Sequence, residues 1–371
     1  LGIGCFCCCQ FRCNVEKTRA ALAFLPPQPA SYSVKEDPRD RTKGKIMYTM
    51  KDLQEAELYK LAAACSEVHW LEPRKGTRVP AVWVRPAAAR GSGVAPTAGH
   101  SSQAAASKFP PGAVLLHCHG NATDIGIMMG HYYELASILG IDVVGVEYTG
   151  YGAAGGAVHT AQLAVDMEAA YDLVTGMGVP PSRVVAYGQS VGSAPAVHLA
   201  SVHEIGGLIL HSPLASALKV IEPAPEGCCR PSCVICCFDA FQNDRLIPSV
   251  TCPVFIMHGE CDGVVPLHNA LRLYHRCQDD MRWPAYFVPR ADHNNLVESD
   301  PQAYFERVEG FLADVKARAS SGSRCKDLVK KPVQVQMQAP PATERRAGPD
   351  AKEGGFAGYP CVVGAAGTGA G

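Results

Sequence analysis

The sequence predicts an α/β fold with a mostly parallel central sheet and helices on both faces. Five short runs, AVLLHC, IDVVGVEY, VVAYG, GLILHS and PVFIMHG, are continuously apolar and rich in Val, Ile and Leu. Strands of a parallel sheet, buried on both faces, read this way, whereas a half-exposed strand alternates. Helix-length stretches separate the runs: IGIMMGHYYELASILG, TAQLAVDMEAAYDLVTGMG and VGSAPAVHLASVHE. Strand and helix in alternation imply right-handed crossovers in one sheet.

Taken in order, the chain opens on a Cys-rich head, residues 1–15, followed by a Pro-containing connector over 16–44 whose ALAFLPPQPASYSV favours extended backbone. The main domain is expected over 45–319. It starts with SEVHWLEPRKGTRVPAVWVRP, a hairpin turning at Lys75-Gly76, in which Pro80 argues for an edge strand. Residues 87–112 are low in complexity and read as a flexible loop. Gly140 and Gly178 stand where helix C-caps belong. A Cys-rich insertion covers 222–243, and AYFVPR with DPQAYFERVEGFLADVKARA supplies a last strand and helix. From 320 to 371 the composition falls to Ala, Gly, Pro, Lys and Glu, which predicts a disordered tail.

Chemistry points first to Ser190. In VVAYGQSVGSAP it ends a strand and opens a helix, with Gly188 two residues before and Gly192 two after. A serine on a strained strand-to-helix turn needs small residues there so that strand and helix can approach, and the helix start turns N–H groups toward an anion forming beside it. The partners of such a nucleophile follow in the order acid, then histidine. Asp262 in GECDGVVP and His293 in ADHNNL each follow a late strand, on the same sheet edge. Asp239 and Asp244 compete for the acid's place, but Asp262 sits in the tighter strand-end loop. His293 would take the serine proton and Asp262 would fix its tautomer. The HGNATD turn after AVLLHC offers the backbone N–H of Asn121, which with that of Val191 makes an oxyanion hole. His117 and His119 read as structural or pocket-lining, and Tyr148 and Tyr151 receive no chemical role.

Composition excludes several classes. The chain of 371 residues is 47% hydrophobic and 19% charged, with a net charge of −1 and no basic stripe, so no nucleic-acid partner is expected. No run approaches the ~20 apolar residues of a spanning helix, and no secretory signal is visible. Of 17 cysteines, Cys5, Cys7, Cys8, Cys9 and Cys13 crowd the head and another five lie between Cys228 and Cys237. Adjacent cysteines suit a tetrahedral zinc cage poorly, and a protein facing the cytosol keeps its thiols reduced. Multiple S-acylation fits the head better, since two or more acyl chains anchor a protein where one does not. The Cys228–Cys237 cluster reads equally as a zinc site or an apolar cap. No metal or cofactor is called for in the chemistry.

The stretches LAFLPPQPASYS, LHCHGNATDIG, EYTGYG, YGQSVGSAP, LHSPLASALKV, CCFDAFQN, IMHGECDGVVP and ADHNNL resemble the α/β-hydrolase domain-containing protein 17 family. The resemblance runs from the N-terminal cysteines to about residue 315, and departs from the family in the long loop 87–112, the cysteine-enriched CCRPSCVICC and the tail. It implies the α/β-hydrolase fold, with Ser190, Asp262 and His293 matching the triad. It also implies a serine hydrolase that removes palmitate from S-acylated membrane proteins. Such a protein would be held peripherally on the cytoplasmic face of the plasma or endosomal membrane. A lipid esterase or lysophospholipase using the same triad, and a non-catalytic membrane-tethered scaffold, are the rival expectations.

Overall fold

A computed structural model describes residues 15–86, 114–221 and 239–321. The expected acylation sites Cys5, Cys7, Cys8, Cys9 and Cys13, loop 87–112, the Cys228–Cys237 cluster and the tail beyond Ser321 lie outside the described residues.

The described chain runs through helix α1 (Val15–Ala23), strands β1 (Tyr32–Asp37) and β2 (Asp40–Tyr48), and short helices α2 (Lys51–Glu55) and α3 (Glu57–Ala64). Strands β3 (Ser66–Arg74) and β4 (Thr77–Val84) then form the hairpin. The parallel part follows as β5 (Val114–Cys118), α4 (Ile125–Leu139), β6 (Asp142–Val146), α5 (Gln162–Gly176), β7 (Val184–Gln189), α6 (Ser193–Val202) and β8 (Gly207–His211). After α7 (Ala217–Ile221) and α8 (Asn243–Leu246) come β9 (Val254–Gly259), α9 (His268–Arg276), β10 (Tyr286–Val288), α10 (Leu296–Ser299) and α11 (Pro301–Ser321). The ten strands join in one sheet of order β1-β2-β3-β4-β6-β5-β7-β8-β9-β10. The pairs among β5 to β10 are parallel, and β1 to β4 form an antiparallel wing.

The continuous apolar runs are explained by two cores. Leu116, Val144, Ala186, Leu210 and Ile256 face one cluster with Leu163 and Met167 of α5 and Val197 and Leu199 of α6. Their neighbours Leu115, Val143, Val185, Ile209 and Phe255 face the other, with Met129 and Leu135 of α4 and Val308 and Phe311 of α11. Successive side chains point to opposite faces of a strand, and here both faces are covered by helices. Helix α4 starts on the Asp124 side chain, which accepts from Ile127 N–H, and ends at Gly140 with φ +67°. Gly178, two residues past α5, has φ +90°.

Two expectations need correction. The connector expected over 16–44 contains α1, β1 and most of β2, so the sheet begins well before residue 45. Its strand signal is weak because β1 is an edge with charged alternate residues, Lys35 and Asp37 among them, a pattern that discourages further pairing. Pro80 lies on β4, an interior strand between β3 and β6. It is tolerated because the β4–β6 ladder begins at Ala81. The Pro80 carbonyl still accepts from Glu147 N–H, so the missing N–H costs the sheet only a bond at the very end of the β4–β6 pairing.

Candidate active site

Four strand ends converge on one edge of the sheet. β5 delivers the turn His119-Gly120-Asn121, β7 delivers Ser190, β9 the Asp262 loop and β10 the His293 loop.

At the end of β7 the backbone bends at once into a short 3-10 turn, and Ser190 takes φ +53°, a left-handed conformation that is uncommon for a residue with a side chain. The two glycines give the clearance expected of them. A Cβ on Gly188 would lie 2.5 Å from Gly192 O and 2.6 Å from Ser193 Cα, and one on Gly192 would lie 2.6 Å from His119 O. Strand, helix and the neighbouring β5 turn therefore meet in backbone contact. Behind the bend, the Ser193 hydroxyl donates to Ser190 O at 2.6 Å and accepts from Asn243 Nδ2 at 3.1 Å. This pair holds the elbow from inside the protein, and only the fold brings its members together.

The structure brings Ser190, His293 and Asp262 into one hydrogen-bonded chain. Ser190 Oγ lies 3.0 Å from His293 Nε2, and His293 Nδ1 lies 2.7 Å from Asp262 Oδ2. The other carboxylate oxygen accepts from Val264 N–H at 2.9 Å and Val265 N–H at 2.8 Å. Burial pushes the Asp262 pKa up, but the hydrogen bond and charge of His293, the Val265 N–H and His258 together outweigh it, and the carboxyl stands below its ordinary value. An ionised carboxylate has no proton to give, so His293 Nδ1 donates and Nε2 is left to accept from the serine. Such a chain can take the serine proton as Oγ attacks an electrophile and return it to a leaving group. Asp262 is buried, while the His293 side chain keeps 12% of its surface exposed. The rival acids are engaged elsewhere: Asp244 on Arg272 Nε at 2.7 Å, Asp239 on the N–H of Leu218 at 3.0 Å.

Gly259, which the sequence did not single out, sets the two late loops against each other. A Cβ there would lie 2.5 Å from Ala291 O and 2.7 Å from Asp292 O. Cys261 N–H donates to Ala291 O across the same gap. The Asp292 side chain then caps the N–H groups of Asn294 and Asn295 and so fixes the turn that carries His293.

On the other side of Ser190, a Cβ on Gly120 would stand 3.8 Å from Ser190 Cβ. The Gly120-Asn121 turn is therefore packed against the serine, the position from which Asn121 and Val191 N–H groups were expected to receive an oxyanion. The turn is held by buried polar groups whose roles were not foreseen. His119 places Nε2 2.8 Å from Glu147 Oε1, and both side chains are wholly buried. Glu147 also accepts from the hydroxyl of Tyr32 and the N–H groups of Ile125 and Tyr148. Tyr148 donates its hydroxyl to His119 O at 2.6 Å, and Tyr151 donates to Asn121 Oδ1 at 2.7 Å. His117 is fully buried and stacks on Tyr187 at 4.4 Å between ring centroids, well inside the fold. Among the described residues no group of three or more His, Cys, Asp or Glu is arranged to hold a metal ion. No helix there is long and apolar enough to cross a membrane.

No protein-family model matches the chain. Relatives do. The chain is 34% identical over 309 residues to α/β-hydrolase domain-containing protein 17B of Homo sapiens, covering 82% of this chain and 95% of that one. It is 31% identical over 316 residues to α/β-hydrolase domain-containing protein aho-3 of Caenorhabditis elegans, covering 85% and 82%. Among solved structures, the esterase Pf2001 of Pyrococcus furiosus is similar with a TM-score of 0.47 and 15% identity, over 78% of this chain and 97% of that one. With a human relative of that identity matched over nearly its whole length, the chain belongs to the α/β-hydrolase domain-containing protein 17 family and is an α/β hydrolase.

Proposed function

We propose that this hydrolase is a serine hydrolase that cleaves acyl thioesters, removing palmitate from S-acylated proteins at a membrane surface. The observation that carries the reading is the hydrogen-bonded chain from Ser190 Oγ through His293 to Asp262, with the Gly120-Asn121 turn beside it. In the reaction His293 Nε2 takes the Ser190 proton as Oγ bonds to the thioester carbonyl carbon. Negative charge gathers on the carbonyl oxygen, which the N–H groups of Val191 and Asn121 receive. The tetrahedral centre collapses, the C–S bond breaks, and His293 returns the proton to the departing cysteine sulfur. Water then gives a proton to His293 and its OH to the acyl carbon, the bond from that carbon to Ser190 Oγ breaks, and His293 returns the proton to Oγ, freeing the fatty acid and Ser190. A thiolate is a far weaker base than an amide nitrogen, so protonating the leaving group is undemanding.

S-acylation of Cys5, Cys7, Cys8, Cys9 and Cys13 is the proposed means of holding the enzyme on the cytoplasmic face of the membrane. Replacing all five by serine is expected to move the protein to the soluble fraction; unchanged partitioning would refute the anchor. The test of the activity compares a palmitoyl-thioester peptide with oxygen esters of the same acyl chain, for wild type and Ser190→Ala. The reading predicts that wild type cleaves the thioester with the higher kcat/KM and that S190A is inactive on both. A preference for the oxygen ester would make the protein a lipid esterase, and equal rates for S190A and wild type would leave a scaffold.

A further inference from the structure

Asn121 does more than present a backbone N–H. Its side chain joins the turn beside Ser190 to the end of helix α1, almost a hundred residues away in sequence. Nδ2 donates to Ala23 O at 2.9 Å, and Oδ1 accepts from Leu25 N–H at 2.9 Å. The same oxygen accepts from its own turn, at Ala122 N–H 3.0 Å away, and from the Tyr151 hydroxyl at 2.7 Å. Tyr151 in turn lies 3.2 Å from Leu25 N–H. Between these bonds Phe24 is 5% exposed, its ring edge-on to Tyr151 and Phe241 at centroid distances of 6.2 and 5.7 Å. At the other end of α1, Glu16 accepts from Thr160 N–H at 2.7 Å and from its hydroxyl at 3.0 Å. The segment from Glu16 to Leu25 is thus clasped at both ends, and its inner end is seated on the turn expected to receive the oxyanion.

We propose that residues 16–25 form a strap that sets the conformation of this turn, with Asn121 as the positioning residue through which the strap acts. An oxyanion donor works only if it is held in place before the charge forms, because the gain lies in not having to reorganise. Ala122, directly after Asn121, has φ +54°, a conformation that a short turn keeps only when its surroundings impose it. The Asn121 side chain supplies that imposition, and the Phe24 anchor supplies the rigidity of the strap. The inference rests on the proposed hydrolysis at Ser190, since it assigns the positioning of one of its two oxyanion donors.

The test is a double-mutant cycle between Asn121→Ala and Phe24→Ala in the full-length protein, purified in detergent so that membrane attachment plays no part. Hydrolysis of a soluble acyl-thioester is measured as kcat and KM separately, with amide exchange at Ala23–Leu25 recorded in parallel. Each single variant is expected to lower kcat about 10-fold, within the loss caused by a misplaced oxyanion donor, and to leave KM within about 2-fold. The double variant should be no slower than about the worse single, because both act through one contact. Phe24→Leu, which keeps the anchor apolar, should restore most of kcat. N121A should speed exchange at Ala23–Leu25. Wild-type kcat in F24A, additive losses in the cycle, or unchanged exchange in N121A would overturn the strap. Ser190→Ala reports separately on the underlying reading: if it keeps the wild-type rate, the hydrolysis assignment falls, while the exchange measurement still decides whether Asn121 holds the strap.

Discussion

Two buried carboxylates flank Ser190, and each holds a histidine. Asp262 binds His293 at 2.7 Å and Glu147 binds His119 at 2.8 Å, and both acids also accept backbone N–H groups. The pairs differ in what the second ring nitrogen meets. For His293 it is the Ser190 hydroxyl, which has a proton to give. For His119 it is the carbonyl oxygen of Gly120 at 2.8 Å, which has none. Access differs too, with part of the His293 side chain open to solvent and His119 wholly closed off. The same chemical pair is therefore arranged for proton transfer on one side, as the proposed reaction requires, and clamps a turn on the other. The residue type alone does not separate the roles; the atom beyond the ring does.

The widest separation between the pairs should appear on exchanging each acid for its amide. Asp262→Asn keeps an oxygen to accept from the two loop N–H groups of Val264 and Val265 but can no longer fix His293 with its proton on Nδ1. It should lower kcat about 10⁴-fold and change unfolding free energy by roughly 1 kcal/mol or less. Glu147→Gln should do the reverse. The new amide NH2 would face groups that donate to Glu147, and leaving such buried donors unsatisfied costs about 1–3 kcal/mol of stability, read from urea unfolding, while the folded fraction keeps activity within about 10-fold. If E147Q silenced the enzyme at unchanged stability, the clamp would have to be counted as part of the chemistry. Gly259→Ala is a smaller perturbation on the His293 side alone. The new methyl meets Ala291 O and Asp292 O, and a displacement of about 1 Å in the His293 loop should lower kcat on the order of 10²-fold. A rate equal to wild type would mean that the two loops have slack.

A third buried histidine sharpens the contrast, because no carboxylate touches it. His211 meets the Tyr187 hydroxyl through Nδ1 at 2.8 Å. Burial, reinforced by nearby His131, His293 and His258, pushes its pKa down to about 3, against a weaker pull upward from Asp262. An unfolded histidine takes up its proton near pH 6.5. Between that pH and about 3 the unfolded chain holds a proton here that the folded chain does not, so stability falls as the pH falls. In His211→Gln the dependence should be shallower by up to about 1.4 kcal/mol per pH unit, measured as the difference between variant and wild type across pH 6.5 to 4. Parallel curves would contradict the assignment. Asp262 is displaced in the same direction but starts from a lower reference, so it titrates in a lower window. Its lowered pKa gives stability that is fully present above about pH 3.9 and is lost as pH falls below that through its folded value.

How much of this was legible in the sequence follows the same division. Ser190 and Asp262 could be placed because each follows a strand whose apolar run is buried on both faces, and His293 because it follows the last strand of the same parallel sheet, whose strand ends share an edge. The clamp could not. Glu147 and His119 lie 28 residues apart and become partners only when β5 and β6 pair. The same holds for Ser193 and Asn243, 50 residues apart, and for Asn121, whose side chain read as local turn chemistry and proved to hold a segment 98 residues upstream. Strands β1 and β2 were missed for another reason. Their charged alternation suits the rim of a sheet, and it carries little of the apolar signal from which strands are read.

Labelling with a fluorophosphonate followed by peptide mass spectrometry asks whether Ser190 is the nucleophile. Such a reagent bonds only to a serine whose proton is being taken by a base. One modified peptide is expected, containing VVAYGQSVGSAP with the adduct on Ser190, with labelling slowed at least about 10³-fold in His293→Ala and absent in Ser190→Ala. An adduct on any other residue, or an unlabelled Ser190 in protein that still hydrolyses the thioester, would contradict that assignment.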